Sequence, residues 1–373
     1  MTEGRFTFYL NMRFLTQRIT GVQRFAYEIT KELDKLLVCY PEIKLIGLLP
    51  NTPVYSGYDL ASYQNIKLEK YGKLSGHLWE QLGLPWYSRG NPLINLCNSS
   101  PIFKSNKYLV LHDAIFMTKL DSQKWWFKLW YRLQMVSNKL SCKKWYTVSH
   151  FSQCEIARLL RVSPDKITVL GNAPSLSSCK SSVNNFKIGN QLKGKKFFLM
   201  IGSNSKRKNI ELVARQFADN PLLSEIKLVI VGGVFSNLGG VRLPDAENII
   251  HLGYVADSEL VNLYQNALGL IFPSLYEGFG IPVVEAMGLG CPVIVSNIPV
   301  MREICGEAGL YFNPENADGL VNHLLHLQSD AYYSSQAIKV IQQSYNYKWA
   351  KFAKIMLDSI ITLKETNESS NSS

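Results

Sequence analysis

The stretch EGFGIPVVEAM, residues 277–287, decides how the second half of this chain folds. It follows the apolar run LGLIFP (residues 268–273), which predicts a short buried strand that ends at a proline. Gly278 and Gly280 let the backbone turn tightly after that strand. Pro282 suits the start of a helix, because its missing N–H would have no partner within the helix there. The pattern therefore predicts a strand, a glycine turn and a helix.

The same stretch carries two carboxylates on either side of the turn. Glu277 precedes the turn, and Glu285 lies in the first or second turn of the helix. The free N–H groups around residues 279–283, other than Pro282, converge at the positive end of the helix dipole on a position that favours a phosphate. Both carboxylates can flank that position. A diphosphate with hydroxyl groups at each end would satisfy the arrangement.

These residues resemble the E-x7-E motif of the retaining glycosyltransferases of family 4. The following GCPVIVS, residues 290–296, is similar to the same family. The resemblance implies an α/β protein with the GT-B fold, in which two Rossmann-like doubly wound domains face a cleft and a C-terminal helix crosses back to the first domain. The alternative is an ordinary strand–helix unit with two surface glutamates.

Size and composition agree with a cytoplasmic enzyme. A chain of 373 residues is long enough for two domains of ordinary size. No run approaches the roughly 18 apolar residues of a membrane-spanning helix, and the start has no secretory signal pattern. The seven cysteines include no C-x-x-C pair. We therefore expect reduced thiols and neither a disulfide framework nor a zinc site.

Charge is distributed unevenly along the chain. Residues 1–180 hold 24 Lys and Arg against 12 Asp and Glu, a net charge of +12. Residues 181–373 hold 16 against 17, a net charge of −1. The first half is therefore predicted to meet an anionic partner, either a nucleic acid or a membrane surface.

The basic-aromatic segment 124–144 bears on that choice, because it mixes large aromatic residues with Lys and Arg at helical spacing. Such a helix suits an anionic bilayer interface. Packing of its aromatic residues into the core of the domain is the alternative, and the two interpretations are about equally supported by the residues. The resemblance to family 4 enzymes that act on lipid-linked acceptors favours a membrane surface, and not a nucleic acid, as the anionic partner. The expected location is the inner face of the cytoplasmic membrane, as a peripheral protein.

Further donor-site residues are implied by the resemblance. GSNSKRKN, residues 202–209, follows a predicted strand, and its Arg207 and Lys208 match the basic pair that neutralises the departing diphosphate in the family. Many relatives have an arginine directly after Gly202, where this chain has Ser203. Tyr254 lies in the segment that packs against the nucleotide base. The complete predicted donor-binding set is Gly21, Gly202, Ser203, Tyr254, Gly278, Phe279, Gly280, Ile281 and Glu285.

Two first-half residues complete the predicted site. Gly21, in TGVQR (residues 20–24), resembles the family's N-terminal glycine loop. His112 ends the predicted strand LVLH and matches a family histidine near the hydroxyls of the donor sugar. The predicted catalytic set is Glu277, His112, Arg207 and Lys208. No metal site is expected, because the chain has no D-x-D motif.

We predict an N-terminal acceptor domain at 1–183 with a returning helix at 350–365, a donor domain at 184–349, and a disordered tail at 366–373. The predicted activity is transfer of a hexose with retention from a nucleoside-diphosphate sugar, without cofactor or metal, to a lipid-linked glycan of a bacterial O-antigen or capsule. GDP-mannose is the first guess for the donor. The alternatives are a nucleotide-sugar epimerase of the same fold and a non-catalytic nucleotide-sugar or nucleic-acid binding protein.

Overall fold

The computed structural model describes residues 6–118, 125–176, 192, 194–203, 205–233 and 243–371, without the side chains of 125–128 and 364–371. The chain divides into two compact units. The first comprises Met1–Met117, Gln123–Asn172 and Lys348–Ser373, and the second comprises Thr118–Ser122 and Ala173–Tyr347. The stretch 174–185, rich in Ser and Asn, predicts a flexible hinge between the two domains, and its residues 177–185 lie outside the described part.

The first unit is built on a seven-stranded parallel sheet. Its strands are β1 (Phe6–Asn11), β2 (Ile43–Pro50), β3 (Lys67–Tyr71), β4 (Leu93–Asn95), β5 (Lys107–Val110), β6 (Cys142–Thr147) and β7 (Ile167–Val169). They lie in the order β3-β2-β1-β4-β5-β6-β7. The helices between them are α1 (Gly21–Leu36), α2 (76–87), α3 (Trp125–Ser141) and α4 (His150–Leu160).

Helix α2 is irregular. It consists of Gly76–Leu78, a π-helical turn at Trp79–Gly83, and Leu84–Tyr87. The π-helical turn buries Trp79 and Glu80. Single π-helical turns of this kind are common at functional sites.

The second unit has a six-stranded parallel sheet in the order β10-β9-β8-β11-β12-β13. The strands are β8 (Phe197–Ile201), β9 (Lys227–Val231), β10 (Ile249–Gly253), β11 (Gly269–Phe272), β12 (Val293–Ser296) and β13 (Leu310–Phe312). The helices are α5 (Ile210–Asp219), α6 (Asp257–Asn266), α7 (Ile281–Gly288), α8 (Pro299–Cys305), α9 (Leu320–His326) and α10 (Asp330–Ser344). Runs such as FFLMI and KLVIV are almost wholly apolar because helices cover both faces of such a sheet.

The last helix, α11 (Trp349–Asn371), belongs to the first unit, as the resemblance predicts. Its apolar face buries Phe352, Ala353, Met356, Leu357 and Ile360. The Tyr146 hydroxyl lies 2.7 Å from Ser359 Oγ, which ties the helix to β6. Trp349 meets the ring of Phe25 on α1 edge-on.

Three features differ from the sequence predictions. The apolar runs of the first half predict strands at 5–10, 43–49, 93–97, 108–112 and 144–148, and this set omits β3 and β7. Strand β3 was missed because KLEKY is largely polar at the sheet edge, and β7 because it has only three residues. Helix α11 runs to Asn371, past residue 365 and through most of the predicted disordered tail, since adding residues to an existing helix costs little. None of the helices in the described ranges is long and apolar enough to cross a membrane.

Candidate functional site

The order in which the chain adds strands to the second sheet reverses at β8. The chain moves from β8 outward through β9 and β10, then returns to place β11 on the other side of β8. In such sheets, the loops at the carboxyl ends of the two strands on either side of this switch leave a crevice in which ligands bind. Here the loop after β8 carries Arg207 and Lys208, and the loop after β11 carries Glu277.

These three side chains meet. Arg207 Nη1 lies 2.6 Å and Lys208 Nζ 2.7 Å from the same carboxylate oxygen of Glu277. Arg207 also donates to the Tyr276 carbonyl at 2.8 Å, and its own carbonyl accepts from Leu275. The two loops are therefore joined by main-chain and side-chain bonds, and the predicted residues are neighbours in space.

The electrostatics of this cluster fix its charge. Burial tends to raise the pKa of Glu277, but Lys208 and Arg207 beside it hold that pKa below its ordinary value. The carboxylate is thus ionised, and the three groups together carry one positive charge. Lys208 Nζ also lies 4.8 Å from the centre of the Phe272 ring, which limits its freedom. A site with this net charge attracts a phosphate.

The glycine turn before α7 has the geometry that the motif predicts. Gly280 has a φ of +116°, and an added Cβ would lie 2.8 Å from Met301 Cε. Among the described residues, the amides of Phe279, Gly280 and Ile281 donate no hydrogen bond to a protein acceptor. Glu285 is buried on α7, where the Tyr264 hydroxyl lies 3.4 Å from its Oε2.

The loops after β8, β9 and β10 come together at the carboxyl edge of the sheet. Gly232 has a φ of +133°, and an added Cβ would lie 2.0 Å from the Gly202 carbonyl oxygen, so only glycine fits. A Cβ on Gly233 would lie 3.7 Å from Tyr254 Oη and 3.8 Å from Ser203 Cα. Tyr254 is 65% exposed. The predicted residues Gly202, Ser203 and Tyr254 thus line one edge of the sheet.

The first sheet has its own switch, between β1 and β4, and a polar cluster that the sequence reading missed. Glu80 accepts from Asn11 Nδ2 at 2.9 Å and from Ser99 Oγ at 2.8 Å, and its other oxygen lies 3.4 Å from Arg13 Nη2. Asn11 also donates to Asn95 at 3.1 Å. The available sequence signal is the polar residue that ends each of these two buried strands, Asn11 in β1 and Asn95 in β4.

Glu80 is buried, yet it is ionised. Burial tends to raise its pKa, while His77, Arg13, Asn11 and Ser99 together hold that pKa below its ordinary value. The Arg13 guanidinium balances the charge, so this cluster is close to neutral and offers both donors and acceptors. Such a mixture suits a polyhydroxyl ligand better than an anion.

The structure shows the surroundings of His112 and Gly21, the two predicted site residues of the first unit. His112 Nε2 lies 3.0 Å from the Leu96 carbonyl, so Nε2 carries the proton and Nδ1 is the acceptor. Burial lowers the pKa of His112 to about 4, so the ring is neutral. Gly21 is the first residue of α1, after Thr20 at the N-cap.

Comparison with known proteins places the second unit in a family. Residues 182–345 match the family model described as glycosyl transferases group 1. The second unit is a glycosyl transferases group 1 domain. The cluster of Glu277, Arg207 and Lys208 lies within this group 1 domain, as do the glycine turn and Tyr254.

Curated relatives have similar sequences. The O-antigen chain mannosyltransferase B of Escherichia coli is 31% identical over 224 residues, which cover 56% of this chain and 58% of that protein. The O-antigen chain mannosyltransferase RfbU of Salmonella typhimurium is 32% identical over 198 residues, covering 51% of this chain and 52% of that protein. The matched region thus spans little more than half of each relative.

A solved structure extends the likeness to the whole chain. Anabaena HepE in complex with UDP-glucose superposes with a TM-score of 0.70 at 15% identity, covering 95% of this chain and 99% of that one. At this identity the likeness shows the fold, which is the GT-B type with two Rossmann-like units.

Proposed function

We propose that this protein is a retaining hexosyltransferase that transfers a hexose from a nucleoside-diphosphate sugar to a glycan in bacterial O-antigen biosynthesis. The observation that carries the proposal is the meeting of Arg207 and Lys208 on Glu277 at the switch point of the group 1 domain. The O-antigen mannosyltransferases among its relatives support mannose from GDP-mannose as the donor.

In this proposal the donor diphosphate binds between the two loops of the group 1 domain. Arg207 and Lys208 stabilise the negative charge that grows on the diphosphate as the bond from the sugar C1 to the phosphate oxygen breaks. The amides of residues 279–281 add the positive end of the α7 dipole. Glu285 binds the ribose, and Glu277 lies near the sugar hydroxyls.

The transfer itself needs no protein nucleophile. The acceptor oxygen bonds to C1 on the face that the phosphate leaves, and its proton passes to the departing phosphate oxygen. In the described part of the chain, no group of three or more His, Cys, Asp or Glu residues could hold a metal ion. We assign the electrostatic role to the two cations, and the proposed transfer is metal-independent.

The acceptor is proposed to bind the first unit. The near-neutral cluster around Glu80 and Arg13 offers donors and acceptors for sugar hydroxyls. His112 and Gly21 keep their predicted roles toward the donor: His112 Nδ1 offers a hydrogen-bond acceptor for a sugar hydroxyl, and Gly21 begins α1, whose amino end is positive. The acceptor is proposed to be lipid-linked, and the segment 124–144 to face an anionic membrane surface, which makes this a peripheral protein of the cytoplasmic membrane.

Thermal melting with a panel of GDP-, UDP- and dTDP-sugars, with and without EDTA, tests the donor site. A donor at about 100 times its dissociation constant should stabilise the fold by nearly 3 kcal/mol. We expect a shift with GDP-mannose that EDTA leaves unchanged. R207A and K208A should each lose the shift and lower kcat by about 100-fold or more, because each removes a cation from the leaving group.

K206A is the matched control, because Lys206 is the exposed neighbouring cation of the same loop, and it should behave as wild type. Stabilisation by no donor, or wild-type turnover in R207A and K208A, would contradict the proposed site. Release of an epimerised nucleotide sugar without acceptor would instead identify an epimerase.

A further inference from the structure

Helix α3 buries polar side chains and exposes apolar ones, which is the opposite of an ordinary surface helix. In the described part of the helix, the buried side chains are Gln134, Met135 and Asn138. The exposed face carries an apolar stripe at helical spacing, with exposures of 49% to 85%, formed by Leu129, Leu133, Val136 and Leu140. A helix in contact with water buries its leucines and exposes its amides. An exposed apolar stripe of this size marks an interaction surface.

Helix α2 presents a second stripe of the same kind. Leu78, Leu82 and Trp86 are spaced four residues apart and are 60% to 64% exposed. The guanidinium of Arg89 stacks on Trp86 at 4.5 Å from the ring centre. An aromatic ring paired with a cation in this way suits the boundary between an apolar medium and water.

The segment between the two helices joins the stripes into one surface. The Ile102 amide donates to Gln81 on α2 at 2.9 Å, and its carbonyl accepts from Ser137 on α3 at 2.7 Å. Lys104 Nζ donates to the Ser88 carbonyl, just after α2, at 2.6 Å. Between these two anchored residues lies Phe103, with 86% of its surface exposed.

The charge around this surface has one sign. Residues 72–112 and 125–149 contain a single carboxylate, Glu80, and it is buried. The exposed cations in the same ranges are Lys73, Arg89, Arg132, Lys139 and Lys143. Within these two ranges, exposed apolar residues accompanied by cations and by no exposed carboxylate complement the interface of an anionic bilayer.

We propose that α2, Phe103 and α3 together form a two-helix docking face that inserts its apolar side chains into an anionic lipid bilayer. The face extends the proposed contact beyond the segment 124–144 to a second helix that is remote in sequence. It rests on the proposed function only in that the lipid-linked acceptor is found at the same bilayer. In this proposal both stripes and Phe103 contact the bilayer together.

Co-sedimentation of the full chain with vesicles tests this face. We expect binding to phosphatidylcholine vesicles that contain about 30% phosphatidylglycerol, and weak binding to phosphatidylcholine alone. The variants L82E/W86E on α2 and L133E/L140E on α3 should each lower the partition coefficient about tenfold or more. R132Q/K139Q should remove the preference for the anionic vesicles.

L222E/I338E is the matched control, because Leu222 and Ile338 are 65% and 57% exposed on the second unit, and its binding should equal wild type. Folding of every variant is checked by its circular dichroism spectrum and melting temperature. Loss of binding in the control, or wild-type binding by L82E/W86E, would overturn the two-helix face.

A wild-type dimer that L82E/W86E dissociates would instead identify a contact between copies of this chain. If the protein transfers sugar but does not bind vesicles, the docking face is wrong and the proposed function stands. If it binds vesicles but does not transfer sugar, the proposed function is wrong and the docking face stands.

Discussion

Glu277 shows how the charge of a buried carboxyl group depends on its neighbours. Burial alone would favour the neutral acid, which has no attraction for Arg207 or Lys208. The two cations reverse that preference and hold the pKa below its ordinary value. The carboxylate in turn holds both cations in place before any donor arrives, which is the preorganisation that electrostatic catalysis requires.

Lys107 is a buried cation of a different kind, and it gives a pH-dependent prediction. Its side chain donates to the Pro101 carbonyl at 2.5 Å, and burial lowers its pKa from 10.5 to about 8. Between these two values the unfolded chain binds more protons than the folded one, so this group makes folding more favourable as pH rises from 8 to 10.5.

In K107M we therefore expect that contribution to vanish. The difference between the free energies of unfolding of wild type and K107M should increase by about 2–3 kcal/mol in favour of wild type between pH 8 and 10.5. Urea unfolding at several pH values measures the difference. The neighbouring Cys142 adds little to it, because burial raises the pKa of its thiol to about 12, above this pH range, and loss of Lys107 would raise it further. K339M, at an exposed lysine, is the control, and parallel curves for wild type and K107M would disprove the effect.

At the scale of elements, α11 contributes a face to the core of the first unit. Phe352 lies against Gly171, where an added Cβ would be 2.5 Å from the ring. Gly171 has a φ of +112°, so the contact suits glycine both in space and in backbone conformation. The helix is therefore part of the packing of the unit.

F352A should accordingly cost about 3–5 kcal/mol, because it leaves a cavity in a closely packed core. The measurement is the free energy of unfolding in urea. K351A, at the exposed neighbouring position on the same helix, should change it by less than about 0.5 kcal/mol. Equal stability of F352A and wild type would mean that the helix end is not held by this contact.

At the scale of the whole molecule, two compact units with separate sheets predict separate unfolding events. Differential scanning calorimetry should resolve two transitions. GDP-mannose should raise the temperature of one, because its proposed site lies in the group 1 domain. F352A should lower the other, because Phe352 belongs to the first unit. A single two-state transition that responds to both changes would refute this assignment.

The residues proposed to bind the donor could be selected largely from sequence, because they lie in short motifs whose backbone geometry is local. A glycine turn, a proline at a helix start and a basic pair after a buried strand each act within a few residues. The carboxyl ends of neighbouring parallel strands then bring such loops together by topology alone. GT-B architecture and the returning helix were implied by the family resemblance.

Tertiary structure alone decided the remaining features. The cluster of Asn11, Glu80 and Asn95 joins residues from three separate stretches, and no local spacing connects them. The side of α3 that faces outward was also undetermined, because its sequence contains apolar and polar residues on every face. In the folded protein Gln134 and Asn138 are buried and the leucines are exposed. Whether a side chain is buried depends on the surface that packs against it, and the periodicity of a single helix carries no information about that surface.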